Sequence, residues 1–177
     1  MEMPKYHAYI ACSLDGFIAG DKGNLDFLNS VETPGEDYGY YKFYNSIDTI
    51  VMGSGTYQTA VNFHAWPYSE KRCIVCTSKE RTPKHNEEFW QGSIEDLNEY
   101  LRSCNAKKIY VDGGRMISSF LKSGFLEHLT VSVIPVLLGK GIPLFSGVYS
   151  NKKIILQRCE SYSSGLVQLE YNIPDQF

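Results

Sequence analysis

The sequence predicts one α/β domain in which a twisted, mostly parallel sheet is flanked by helices and ends in an antiparallel C-terminal hairpin. Three observations predict it. Short β-branched runs alternate with segments of helical spacing, the βαβ pattern of a parallel sheet. Two of those runs, Thr49-Ile-Val-Met52 and Lys108-Ile-Tyr-Val111, meet glycines and pass directly into new sequence patterns. The last part of the chain holds two strand-like runs split by Ser163-Ser164-Gly165.

Each element has its own justification. Tyr6 to Ser13 alternates and is rich in strand formers. Asp21 to Gly35 is the longest stretch without pattern, and a loop that long in a compact domain is often functional. Glu36 to Asn45 begins with acids and carries aromatics at helical spacing, predicting a helix. Thr49 to Met52 and Cys73 to Thr77 are short apolar strands. Ser93-Ile-Glu-Asp96 fits a capping box, and Leu97, Tyr100 and Leu101 form the stripe of the helix behind it. Lys108 to Val111 is a strand and Met116 to Leu121 a helix. Leu129 to Leu138 is strongly β-branched, and Ile154 to Glu160 with Leu166 to Ile173 forms the hairpin. No linker or repeat interrupts the series, so a single domain over residues 1–177 is expected.

Composition narrows the function. A net charge of -3 leaves no basic footprint for nucleic acid. No apolar run approaches the ~20 residues that span a bilayer, and Met1 to Lys5 is polar, so no membrane partner is expected. Five cysteines, mostly in apolar runs, read as reduced core thiols of a cytoplasmic protein. Cys73 and Cys76 lie three apart on one strand and so face opposite sides, which argues against a redox or metal pair. The four histidines have no ligand spacing, and no metal site is expected.

The glycines carry the functional signal. A strand that ends in Gly113-Gly114 and opens a helix lets backbone approach a ligand closely. The first N–H groups of such a helix lack intrahelical partners and sit at the positive end of the dipole, which suits a phosphate. Gly53-Ser54-Gly55-Thr56 repeats the arrangement. Each motif alone is equally well a tight turn; two together point to a dinucleotide and redox chemistry. Neither G-x-G-x-x-G nor a P-loop is present. Ser13, Gly53, Thr77 and Asp112-Gly113 all fall at predicted strand ends, where α/β sheets bind ligands, so they are expected on one rim. Three acids are the candidate catalytic residues. Asp15 closes the first strand in an Asp-Gly turn, Asp37 begins the predicted helix, and Asp112 precedes the double glycine. Asp112 either holds a substrate or ribose hydroxyl or caps the turn.

Four segments together resemble the dihydrofolate reductase superfamily, most closely the reductase domain of the bifunctional riboflavin-biosynthesis deaminase–reductase, the RibD C-terminal family. They are Ser13-Leu-Asp-Gly-Phe-Ile-Ala19, Asp48-Thr-Ile-Val-Met-Gly-Ser-Gly-Thr-Tyr57, Tyr110-Val-Asp-Gly-Gly-Arg115 and Ile134-Pro-Val-Leu-Leu-Gly-Lys-Gly-Ile-Pro-Leu-Phe145. The resemblance implies a dihydrofolate reductase-like fold, NADPH as cofactor with NADH possible, and a homodimer. It places the cofactor on Gly53, Ser54, Gly55 and Thr56, on Gly113, Gly114, Arg115 and Met116, and on Thr77, Ser78 and Lys79 after the third strand. Ser54 stands where many relatives carry an arginine, so Lys79 or Arg81 is left to read the 2′-phosphate. Phe17 stands where riboflavin-pathway reductases typically carry a phosphate-binding lysine. Phe17 and Lys140 are therefore the candidate substrate contacts, and a planar, less charged substrate is expected unless Lys140, Arg115 or Lys42 supplies the charge. The implied activity is hydride transfer to a pyrimidine- or pterin-like compound, of the 5-amino-6-(5-phosphoribosylamino)uracil reductase type. A dihydrofolate reductase-type pterin reductase, with Asp37 as the helix-borne carboxylate, and a ligand-binding module without turnover are the alternatives.

Overall fold

The computed structural model of the protein describes residues 3–147 and 151–174, so Met1 and Glu2 of the polar leader lie outside it. Ten strands and four helices follow in chain order: β1 (Lys5–Ser13), β2 (Phe17–Ala19), α1 (Tyr40–Ser46), β3 (Thr49–Gly53), α2 (Ser54–Ala60), β4 (Arg72–Cys76), β5 (Glu87–Trp90), α3 (Ile94–Ser103), β6 (Lys108–Asp112), α4 (Gly114–Ser123), β7 (Leu126–Ile134), β8 (Ile142–Pro143), β9 (Ile155–Ser161) and β10 (Val167–Asn172). Eight of the strands form one sheet in the order β5-β4-β3-β6-β1-β7-β10-β9. The pairs from β5 to β7 are parallel, and β7, β10 and β9 pair antiparallel. This is the predicted architecture. A small ribbon, β2 with β8, stands apart from the main sheet.

The sheet separates two apolar layers, because successive side chains on a strand point to opposite faces. Ile109 and Val111 of β6 join Leu97, Leu101, Ile117 and Phe120 of α3 and α4 on one face. Tyr110 of β6 joins Ile50, Met52, Tyr57 and Cys73 on the other. Phe27, Val31, Ile134 and Leu166 form a third cluster, under the long loop. The predicted opposition of Cys73 and Cys76 holds: Cys73 belongs to the α1–α2 face, Cys76 to the α3–α4 face. Cys104 and Cys159, however, are exposed rather than core thiols, being at a helix end and on an edge strand. No helix of the described residues is long and apolar enough to cross a membrane.

Several boundaries differ from the sequence reading for local reasons. The predicted helix at Glu36 starts only at Tyr40, because Tyr38 and Gly39 take positive φ and turn the chain first. Asp37 is therefore a cap rather than a helical residue; its carboxylate accepts from the N–H groups of Gly39 at 2.9 Å and Tyr41 at 2.7 Å. The predicted strand at Leu129 starts earlier and ends at Ile134, since Pro135 has no N–H and Val136 turns back on Ile134. The Asp21–Gly35 loop contains two short 3₁₀ turns, Asp21–Gly23 and Asp26–Val31. The capping box at Ser93 is present as predicted, with Asp96 N–H on Ser93 Oγ at 3.0 Å.

Two glycines in neighbouring helices make a sharp contrast. A Cβ built on Gly114 would lie 2.5 Å from the carbonyl oxygen of Pro143 and 2.9 Å from that of Leu144. A Cβ on Gly55 would meet nothing within 4 Å. Gly114→Ala is thus expected to lose about 1–3 kcal/mol through overpacking. Gly55→Ala is expected to be neutral or to gain about 0.5–1 kcal/mol from helix propensity. Urea unfolding of both variants measures the contrast, and equal effects contradict it.

Candidate active site

Four parallel strands deliver their C-terminal ends to one rim. Ser13, Gly53, Cys76 and Asp112 end β1, β3, β4 and β6, with β3 central between β4 and β6. The two glycine junctions interlock there. A Cβ on Gly113, whose φ is +94°, would lie 2.3 Å from Thr56 Oγ1 at the start of α2. A Cβ on Gly53 would touch Met116 of α4 at 3.4 Å. Each junction therefore carries the other's first-turn side chain, and the two helix starts are neighbours. Neither helix has a side-chain cap, and Arg115 is exposed on the first turn of α4. Gly114 differs from the expectation attached to it: its missing side chain makes room for the Pro143-Leu144 backbone, while open space lies at Gly55.

Beyond β4, Thr77 turns the chain. Its hydroxyl accepts from Lys79 N–H at 3.1 Å, and its own N–H donates to Trp90 at 3.0 Å. Thr77, Ser78 and Lys79 thus form an exposed turn at the rim's outer end. Just past it lies a hollow of about 440 Å³ lined by Glu80, Arg81, Thr82, Phe89 and Gln91. Arg81 Nε is buried there without a hydrogen-bond partner.

A larger cavity of about 700 Å³ opens on the α1 side of the sheet, within the usual size of a small-molecule site. Its sheet wall includes Tyr9, Ala11, Tyr110 and Ser132, and its outer wall Leu28, Val31, Tyr38 and Tyr40. The walls are held rigidly. Tyr9 hydroxyl donates to the Tyr38 carbonyl, and Gln168 Nε2 donates to Tyr9 Oη at 2.8 Å and Ser132 Oγ at 3.1 Å. Tyr110 hydroxyl donates to the Tyr9 carbonyl at 3.0 Å. The cavity tyrosines escaped the sequence reading. The alternation of β1 did place Tyr9 and Ala11 on one face, but nothing local says that this face stays partly uncovered.

The three candidate acids are not brought together. Asp15 is exposed, and its carboxylate accepts from Ser13 Oγ, Leu138 N–H at 3.1 Å and Gly139 N–H at 2.7 Å. Those bonds, Ser13 foremost, hold it below the usual carboxylate range. It ties the 136–139 turn to β1 and does not line the cavity. Asp37 sits at the cavity mouth, and the N–H groups of Tyr41 and Gly39 keep its carboxylate ionised below its ordinary range. Asp112 is buried beside the glycine junction, with Tyr68 hydroxyl 3.4 Å from Oδ2. Burial pushes its carboxyl up to about 6, against the pull of Tyr110, Gly113 N–H and Tyr68. Phe17 and Lys140 do not line the cavity either: Phe17 pairs with Pro143 in the β2–β8 ribbon, and Lys140 pairs with Asp21 at 2.9 Å. Among the described residues no group of three or more His, Cys, Asp or Glu is placed to hold a metal ion.

The family model of the RibD C-terminal domain matches residues 4–168. The chain belongs to the RibD C-terminal domain family. This RibD C-terminal domain is 34% identical over 166 residues to the Bacillus subtilis protein YwjB, itself uncharacterized, covering 92% of this chain and 94% of that one. It shares 31% identity and a TM-score of 0.90 with the crystal structure of a Shewanella sp. PV-4 protein named for riboflavin biosynthesis, over 96% of this chain and 99% of that one. A Thermotoga maritima deaminase/5-amino-6-(5-phosphoribosylamino)uracil reductase shares the fold at TM-score 0.74 and 18% identity, this domain spanning 57% of its length.

The buried Asp112 sets a pH signature. An acid whose folded value lies above its unfolded value of about 4 costs stability once ionised. The cost is absent below about pH 4 and complete above about pH 6. Asp112→Asn carries no such titration, whereas half-buried His7, lowered to about 3, titrates alike in both proteins. Wild-type stability relative to Asp112→Asn should fall by on the order of 3 kcal/mol from pH 4 to pH 7. Denaturant unfolding at both pH values measures this, and a constant difference contradicts it.

Proposed function

We propose that this chain is an NAD(P)H-dependent reductase that delivers hydride to a pyrimidine- or pterin-like ring, as a relative of the riboflavin-biosynthesis reductases. The observation that carries the reading is the interlocked pair of strand–glycine–helix junctions on a sheet that also bears a tyrosine-lined cavity. Family membership supports reductase chemistry at that place.

When bound, the nicotinamide supplies the hydride; the chain's residues bind, orient and manage the proton. In this reading, first-turn N–H groups of α2 (Gly55, Thr56) and α4 (Arg115, Met116) hold the pyrophosphate. Lys79 and Arg81 flank the turn after β4 and are the cations proposed to meet a 2′-phosphate, which favours NADPH over NADH. Asp112, two residues along β6 from the cavity-lining Tyr110 and with its carboxyl raised to about 6 by burial, is the residue proposed to manage the proton.

NADPH should bind with micromolar or better affinity by calorimetry. Gly55→Leu should abolish that binding while leaving the thermal transition intact, because its side chain enters open space. Arg81→Ala should weaken NADPH by about 1.5–3 kcal/mol and leave NADH nearly unchanged. Equal NADPH binding by wild type and Gly55→Leu would refute the assignment, and binding without oxidation across a panel of reducible heterocycles would favour a ligand-binding module.

The reading includes a homodimer. β9 is an edge strand, and Ile155 and Leu156 on it are 47% and 51% exposed. Apolar edges of this kind are normally covered. Sedimentation should give a dimer at tens of micromolar, and a monomer there would count against it.

A further inference from the structure

The large cavity has a charge character that the reductase reading does not require. Among the described residues its lining includes Glu32, Glu36 and Asp37 and no lysine, arginine or histidine. The acids stand at the mouth, on the exposed turn between Val31 and α1. The candidate cations are elsewhere. Lys140 is paired with Asp21, and neither Arg115 nor Lys42 lines the cavity. Four tyrosines, Tyr9, Tyr38, Tyr40 and Tyr110, line it together with Ile134 and Leu166.

These features select by attraction and by repulsion together. Aromatic walls accept a planar ring by stacking. Carboxylates and hydroxyls accept N–H groups and stabilise positive charge, and ring faces do the same. A phosphate ester meets three like charges and no donor cation to neutralise it. We propose that the cavity takes a planar nitrogen heterocycle that is neutral or cationic and carries no phosphate, so that this protein acts on a dephosphorylated compound. The inference rests on the reading of the cavity as the substrate site of a reductase. It is independent of Phe17, which is not in the cavity wall.

The test uses a matched pair, 5-amino-6-(5-phosphoribosylamino)uracil and the same compound lacking its phosphate. Calorimetry on the full chain with NADPH present and absent reads affinity, and NADPH oxidation reads turnover. The dephosphorylated compound should bind at least tenfold more tightly. Glu32→Lys should narrow that ratio at least fivefold, since Glu32 has an exposed side chain whose charge is reversed without disturbing the core. Raising the salt to 1 M should narrow it as well, because exposed charges are screened. Equal or tighter binding of the phosphorylated compound overturns the proposal, as does an unchanged ratio in Glu32→Lys or failure of both compounds to bind. Tight binding of the dephosphorylated compound with no oxidation of NADPH upholds the selectivity and instead overturns the reductase reading. Turnover of the phosphorylated compound alone does the reverse.

Discussion

Everything on the functional rim depends on how closely two pieces of backbone approach each other. β3 and β6 are adjacent and parallel, and each runs straight into a helix. The junctions can lie side by side only because Gly113 leaves room for Thr56 and Gly53 leaves room for Met116. Gly114 extends the same constraint outward. Its bare backbone admits the carbonyls of Pro143 and Leu144, and Leu144 N–H in turn donates to the Gly16 carbonyl at 2.8 Å. Asp15 then ties Leu138 and Gly139 back to the end of β1. A chain of close contacts thus runs from the glycine pair through the β2–β8 ribbon to the first strand.

The same frame explains why a cavity exists. One face of the sheet is covered by α3 and α4 in a continuous core. The other is shared between α1 and α2 over the β3 side and the 3₁₀ segment Asp26–Val31 over the β7 side. Two separate covers leave a gap over β1, and polar tyrosines line it. Asp112 follows Tyr110 of that gap by two residues and ends β6 at the glycine junction. A buried carboxyl without a cation costs stability once ionised, and such costs concentrate where chemistry is done.

Much of the fold was legible in the sequence because periodicity and turn chemistry agreed. The parallel strands read as short apolar runs, the Ser93 helix announced itself by its capping box, and the hairpin by Ser163-Ser164-Gly165. What escaped was local structure made by tertiary contact. β2 and β8 are short strands that exist only because they pair with each other. β5, Glu87–Trp90, mixes acids with aromatics because Glu87 is buried against Tyr57. α2 has no cap or stripe to mark it, and only its place behind Gly53-Ser54-Gly55 pointed to a helix there. At the site, the rim was readable from strand ends. The grouping of acids was not, because Asp15, Asp37 and Asp112 look alike in sequence and differ only in what surrounds them. Asp15 and Asp37 are turn and helix caps, and Asp112 is a buried acid. Phe17 was likewise placed by analogy of motif, whereas β2 carries it into the ribbon.

The paired glycine junctions are proposed to hold a dinucleotide. Amide NMR of the ¹⁵N-labelled chain titrated with NADPH tests it most directly. The largest shift changes should fall on the N–H groups of Gly55, Thr56, Arg115 and Met116, at the starts of both α2 and α4. Saturable binding that leaves these amides unmoved, or that moves only one of the two junctions, would contradict it.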